Sequence, residues 1–144
     1  GEARRRFPSA GSTEGWVLYA ADLMLEAGFP AGRPAWDELR RRALLADCRL
    51  CAVAGLHAGT MTLEEAAGLF EAEAGRDERA ARQEVRHCAA DPGAAAAGLG
   101  RAVFRRLRAR CGGLPGEVPP AAFQDRLLSA AGLPLGRLDR LAAS

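Results

Sequence analysis

Apolar residues recur at the spacing of α-helices along nearly the whole chain. Alternation of apolar and polar residues, bounded by turn residues as in a strand, appears nowhere convincingly. The pattern therefore predicts an all-α protein, an irregular bundle of about six to seven helices. The predicted helices cover residues 13–27, 36–54, 62–74, 77–89, a stretch after 92 that ends near 110, 119–132, and a short helix from 134.

Turn and capping residues set the predicted boundaries. Gly28 follows the last apolar position of the first helix, where a glycine commonly stops a helix. Thr62 and Glu65 form a capping box, in which each side chain satisfies an exposed amide at a helix start. In the first helix, one inward stripe is expected to contain Trp16, Tyr19, Leu23 and Met24.

Composition narrows the choice of partners. The chain has 144 residues, which suits one domain, and its net charge is only +2. All 20 basic residues are arginines, which cluster at 4–6, 40–42 and 105–110. Acidic residues intersperse elsewhere and no aromatic residues lie among these clusters, so we expect ion-paired helix surfaces and no nucleic-acid partner.

The lengths of the apolar segments also indicate where in the cell the protein is expected. No apolar stretch has the length of a membrane span, and residues 1–12 lack the apolar segment of a signal peptide. Residues 1–12 are predicted to be a flexible N-terminal segment. The sequence therefore favours a cytoplasmic protein with no membrane partner.

Glu14, which precedes a dense apolar run, is the first candidate for chemistry. A carboxylate at the start of a helix is stabilised by the helix dipole, and spacing alone favours that structural interpretation. The alternative is that this carboxylate is one part of a site whose other part lies elsewhere. Spacing does not decide between the two.

Cysteines and histidines give weaker signals. Cys48 and Cys51 form a single CxxC within a predicted helix, but a structural zinc site needs four ligands and no second pair follows. We therefore interpret both as small buried hydrophobic residues, with a metal or redox role as the alternative. His57 is expected just past the second helix, where the dipole favours an imidazolium, and His87 lies within the fourth.

Several short segments, taken in order, resemble the C-terminal part of a bacterial family of zinc-metallopeptidase-like proteins, domain of unknown function 885. The resemblance covers about residues 7–142. The segments that carry it are EGWVLY from Glu14, Arg49-Leu50, Gly55-Leu56-His57, MTLEEA from Met61, Glu84-Val85-Arg86, Pro92-Gly93 and LPLGRL from Leu133.

The resemblance implies a zinc site that is only partly present in these residues. In the family, an HExxGH-type helix supplies two histidines and the general-base glutamate. Glu14 would be the third zinc ligand, and His57 would line the cleft as a catalytic contact to the substrate or its oxyanion. Zinc and a peptide substrate are thus expected for the complete protein. Residues 1–144 contain no HExxH, so we expect them to form one helical domain of a larger catalytic unit. This domain is expected to pair with an N-terminal segment that bears the HExxH motif. Alone, it is expected to bind no zinc.

Departures from the family pattern leave a second hypothesis open. Val53 and Ala54 stand where the family tends to have Asp-Thr, and Ala21 replaces an acid, with Asp22 about 100° further around the helix. The leading hypothesis is the C-terminal helical portion of a zinc-dependent peptidase-like hydrolase, inactive alone. The alternative is a non-catalytic, decayed helical module that forms a homo-oligomer or binds a protein partner.

Overall fold

A computed structural model describes residues 9–29, 33–111, 121–130 and 133–141. Within these ranges the chain forms seven α-helices, one 3-10 turn and no strand, which confirms the all-α prediction. The helices are α1 (Ala10–Glu26), α2 (Arg33–Ala58), α3 (Leu63–Ala72), α4 (Glu78–Ala90), α5 (Ala96–Arg110), α6 (Ala121–Ser129) and α7 (Leu135–Leu141). The 3-10 turn, Pro92–Ala95, leads into α5.

The local signals for helix ends are largely confirmed. Thr62 and Glu65 form the reciprocal capping box, with the Glu65 amide donating to Thr62 Oγ1 at 3.2 Å. Gly28, a predicted stop, and Gly75, which directly follows the predicted range of the third helix, have φ angles of +83° and +60°. These backbone angles favour glycine because it has no Cβ atom to clash.

Two predicted boundaries are wrong. Helix α1 begins at Ala10, so residues 10–12 of the predicted flexible segment are helical, while residues 1–8 lie outside the described residues. Helix α2 continues through Gly55 to Ala58 because Gly55 packs against Met61 rather than ending the helix. The left-handed residue after α2 is Gly59, with a φ of +69°. The predicted helix start at 119 and helix end at 132 also fall outside the described residues.

The core consists of two clusters. The first, between α2, α3, α4 and the 3-10 turn, is rich in small residues around the fully buried Phe70. The second lies between α1, α5, α6 and α7. Its buried members are Tyr19, Phe104, Leu107, Phe123, Leu127, Ala130 and Leu138. Trp16 and Leu23 pack against this second cluster as predicted, but Met24 is 51% exposed and does not belong to the inward stripe.

Glycines allow α5 to approach two other helices at backbone distance. A Cβ atom on Gly100 would overlap the Gly11 carbonyl oxygen and lie 2.7 Å from the Cα of Gly15. A Cβ atom on Gly98 would overlap the Ala46 carbonyl oxygen in α2. Helix α5 therefore joins the two halves of the core. No helix in the described ranges is both long and apolar enough to cross a membrane.

Candidate functional site

Glu14 is an exposed residue of α1 that lies within the helix rather than at its start. Four residues of α1 precede it, and the first turn of α1 contains no acidic residue. The predicted interpretation as a helix-start acid is therefore wrong, because α1 begins before Thr13. Glu14 forms no hydrogen bond or ion pair with any residue that the structure describes.

The residue after Glu14 fixes the backbone of α1 at this point. A Cβ atom on Gly15 would lie 2.8 Å from the backbone nitrogen of Arg101 and would overlap Gly100, so only glycine permits this contact between α1 and α5. The two helices run in the same direction, since Gly11 lies near Ala96 and Glu26 pairs with Arg108 further along. The backbone at Glu14 is consequently held against a neighbouring helix.

Two aromatic residues of the same segment also pack α1 against α5. The Trp16 ring lies 5.7 Å from both the Tyr19 and the Phe104 rings, and its contact with Phe104 is edge-to-face. Tyr19 is fully buried, and its hydroxyl has no hydrogen-bond partner among the described residues. Burial raises the pKa of Tyr19 to about 12, although the nearby Arg108 charge opposes the shift.

Tyr19 is the only tyrosine of the chain, so its ionisation can be followed by ultraviolet absorbance. We expect the folded protein to titrate at about pH 12 and the urea-unfolded chain near the ordinary value of 10.0. Because the unfolded chain loses this proton first, the stability gained from burying the neutral hydroxyl is complete below pH 10 and declines as the pH rises towards 12. Titration of the folded protein at the ordinary value would show that water reaches the hydroxyl.

An apolar cavity lies against the α1 segment that contains Glu14. Its volume is about 300 Å³, and it lies between α1, α5, α6 and α7. Thr13, Trp16 and Val17 contribute from α1, so the α1 wall includes residues directly before Glu14 and one turn after it. Glu14 itself does not line this cavity.

A buried charge network joins α1, α2 and α5. Arg101 is 9% exposed and donates from Nε and Nη2 to both oxygens of Asp22, at 2.8 and 3.0 Å. Its Nη1 donates to Asp47 at 2.6 Å. Burial disfavours the charged guanidinium, but these hydrogen bonds outweigh burial and raise the pKa of Arg101 above its ordinary value.

Sequence reasoning missed this network because Arg101 and Asp22 are far apart in the chain. One signal was present: Asp22 and Glu26 lie one turn apart on the face of α1 that also contains Gly15 and Tyr19. Glu26 accepts a 2.6 Å bond from Arg108, which is 6% exposed. Acids on a buried helix face require cationic partners.

Two segments of the family resemblance meet through an ion pair. Arg49 of α2 donates to both oxygens of Glu84 in α4, at 2.7 and 2.9 Å. The Glu84 side chain is 14% exposed and the Arg49 side chain 32% exposed. The pair connects the two helices on either side of the first core cluster, so a structural role accounts for both residues.

His57 lies in the last turn of α2, not beyond it as predicted, because α2 extends to Ala58. Its Nε2 is 3.1 Å from the carbonyl oxygen of Cys88 in the last turn of α4. Since a carbonyl only accepts, Nε2 must bear the proton in this bond. No hydrogen bond or ion pair joins His57 to Glu14.

The cysteines only partly match their prediction. Cys48 is buried, whereas Cys51 is exposed, so the two sulfurs do not share the buried face of α2. Burial raises the pKa of the Cys48 thiol, and that of the buried Cys88 to about 11, so both are neutral thiols at physiological pH. Within the described residues, no group of three His, Cys, Asp or Glu side chains is arranged to hold a metal ion.

Over the residues that the structure describes, the protein is all-helical, and Glu14 is an exposed carboxylate next to the close contact between α1 and α5. The model of the family described as bacterial protein of unknown function (DUF885) matches residues 2–141. The chain therefore belongs to this family, as its sequence segments suggested. Comparisons with curated proteins and with solved structures gave no match.

Proposed function

We propose that this chain is the C-terminal helical portion of a zinc-dependent peptidase-like hydrolase, to which Glu14 contributes the third metal ligand. The observation that carries the proposal is the state of Glu14 within its own segment. Gly15, Trp16 and Tyr19 are all explained by packing, while the Glu14 carboxylate is exposed and unpaired on the backbone that they fix. Such a carboxylate is available to a cation at no cost in broken ion pairs.

The described residues fit one ligand of a zinc site and not the whole site. A catalytic zinc ion takes three protein ligands and keeps one position open for water. When bound, it acidifies that water and polarises the scissile carbonyl. The two imidazoles and the general base would come from an HExxH-bearing segment that is absent from residues 1–144. This chain would hold the backbone of Glu14 in place through Gly15 and supply its carboxylate to the metal.

We also propose His57 as a contact to the peptide substrate. With its Nε2 proton engaged by Cys88, neutral His57 would offer Nδ1 as an acceptor for a substrate N–H. Stabilising an oxyanion would instead require the imidazolium, which carries a second proton. We also propose that the complete protein acts in the cytoplasm.

Zinc titration tests the proposal. We expect no tight, stoichiometric binding by residues 1–144, and tight binding once the chain is joined to an HExxH-bearing family segment. Glu14→Gln should weaken the binding of the joined protein at least about tenfold, because it removes a ligand without changing helix packing. Glu64→Gln, also an exposed helical glutamate, is the matched control and should leave binding unchanged.

Two results would contradict this proposal. Tight binding of zinc by the chain alone would mean that its own residues form a different site. Equal binding by the joined protein and its Glu14→Gln variant would remove Glu14 from the ligand set.

A second candidate function is a helical module that pairs with itself. Exposed apolar side chains on α1 and on the neighbouring α6 favour it. Val17 is 66% exposed, Met24 51% and Leu128 50%, and Val17 and Leu128 border the apolar cavity. Large exposed apolar surfaces commonly mark association sites. Sedimentation at micromolar concentration should then show a dimer that Val17→Arg dissociates, whereas a strict monomer contradicts self-pairing.

A further inference from the structure

A cleft of about 280 Å³ lies between α2 and the loop that joins α3 to α4. Glu38, Arg41 and Arg42 line it from α2, and Arg76 lines it from the loop. Leu45 and Ala74 form its apolar part. We call this feature the arginine cleft.

Among the described residues that line the cleft, the single acid, Glu38, is already shared by two arginines. Arg42 Nε donates to Glu38 Oε1 at 2.7 Å, and Arg41 Nη2 lies 3.5 Å from Glu38 Oε2. A guanidinium has five N–H donors, so each arginine retains most of its donors. One carboxylate neutralises only one of the two cations.

Arg76 adds a second surplus charge. Its nearest acid, Glu84, lies 3.9 Å away and is already bound at both oxygens by Arg49. Four arginines, at 41, 42, 49 and 76, thus share two carboxylates, so these ion pairs contain two more positive than negative charges.

The charges of these arginines act on the carboxyl group of Glu38. The hydrogen bond from Arg42 lowers the pKa of this carboxyl, and the charges of Arg42, Arg41 and Arg76 act in the same direction. Three guanidinium groups therefore favour negative charge at one point in the cleft.

We propose that the arginine cleft binds a small-molecule phosphate monoester as its dianion. A phosphate of charge close to two would balance the surplus, and guanidinium groups bind phosphate oxygens through paired N–H donors. Leu45 and Ala74 provide contact for the carbon group of the ester. Because the arginine side chains are largely exposed, the site is weak and sensitive to salt.

Phenyl phosphate is a suitable probe for the intact chain, with binding measured by titration calorimetry at low salt. We expect binding that Arg42→Gln weakens about threefold or more. The matched control is Arg82→Gln: Arg82 donates to Glu78 at 2.7 Å across one helix turn, just as Arg42 donates to Glu38, but lies outside the cleft. Its replacement should leave the affinity unchanged.

A third variant separates ligand binding from a structural role. Glu38→Gln removes the carboxylate that competes for the same donors and should tighten binding about threefold. Weaker binding in that variant, or equal losses from Arg42→Gln and Arg82→Gln, would overturn the proposal. Equal affinity for inorganic phosphate or for benzoate would also overturn it, because the first needs no ester and the second carries a single charge.

Discussion

Gly100→Ala is expected to destabilise the protein by about 3 kcal/mol or more, the largest effect of an added methyl group at any glycine that the structure describes. The added Cβ atom would overlap the Gly11 carbonyl oxygen and lie 2.7 Å from the Cα of Gly15. Because both contacts are with backbone atoms, no side-chain rotation relieves them. The free energy of unfolding in urea measures the loss.

The control is the same substitution at Gly68, a helical glycine of α3 with nothing within 4 Å of its would-be Cβ atom. There alanine should raise the stability by about 0.5–1 kcal/mol, since it restricts the unfolded chain. If both variants were equally stable, the close crossing of α1 and α5 would be wrong. The basis for fixing Glu14 would then be lost as well.

Arg101→Met is expected to cost about 3–5 kcal/mol. The change leaves Asp22, whose side chain is only 14% exposed, with no cation to balance its charge. The double variant Arg101→Met with Asp22→Asn should recover much of this loss, because it removes both charges instead of one. Thermal and urea unfolding of the three proteins provide the comparison.

Arg82→Met is the matched control for the Arg101 change. Its ion pair with Glu78 is exposed at both side chains, by 67% and 73%, so we expect a change within about 0.5 kcal/mol. If Arg101→Met lowered the free energy of unfolding by no more than this, water or another cation would already be balancing the charge of Asp22.

Local chemistry explains why much of the fold could be predicted from sequence. The Thr62–Glu65 capping box and the stop at Gly28 depend only on residues within a few positions of each other. Apolar spacing likewise depends on one helix at a time. The number of helices and the all-α fold class follow from such short-range interactions.

The errors arise where a distant residue changes the meaning of a local signal. Gly55 resembles a helix stop, but Met61 folds back onto it and α2 continues to Ala58. Cys51 lies on the exposed side of α2, a fact that depends on which face the neighbouring helices cover. Arg101 appears in sequence as one more surface arginine, and only the fold brings Asp22 and Asp47 to it.

The candidate site could likewise be anticipated from sequence only in part. Family resemblance suggested Glu14 as a metal ligand, which stays a prediction, and the geometry supplies the reason that its neighbour is glycine, which spacing alone did not reveal. The arginine cleft was not predicted, because its charges come from α2 and from a loop more than 30 residues later.

The pairing of α1 with α5 has a consequence for synthesis on the ribosome. Helices α2, α3 and α4 follow one another in sequence and share the first core cluster, so they can collapse together as they emerge. Helix α1 is made earlier, yet its glycine contact is with Gly100, and it must wait until α5 has left the exit tunnel. During that delay Trp16 and Tyr19 lack their contacts with Phe104, so these two aromatic rings are open to chaperones.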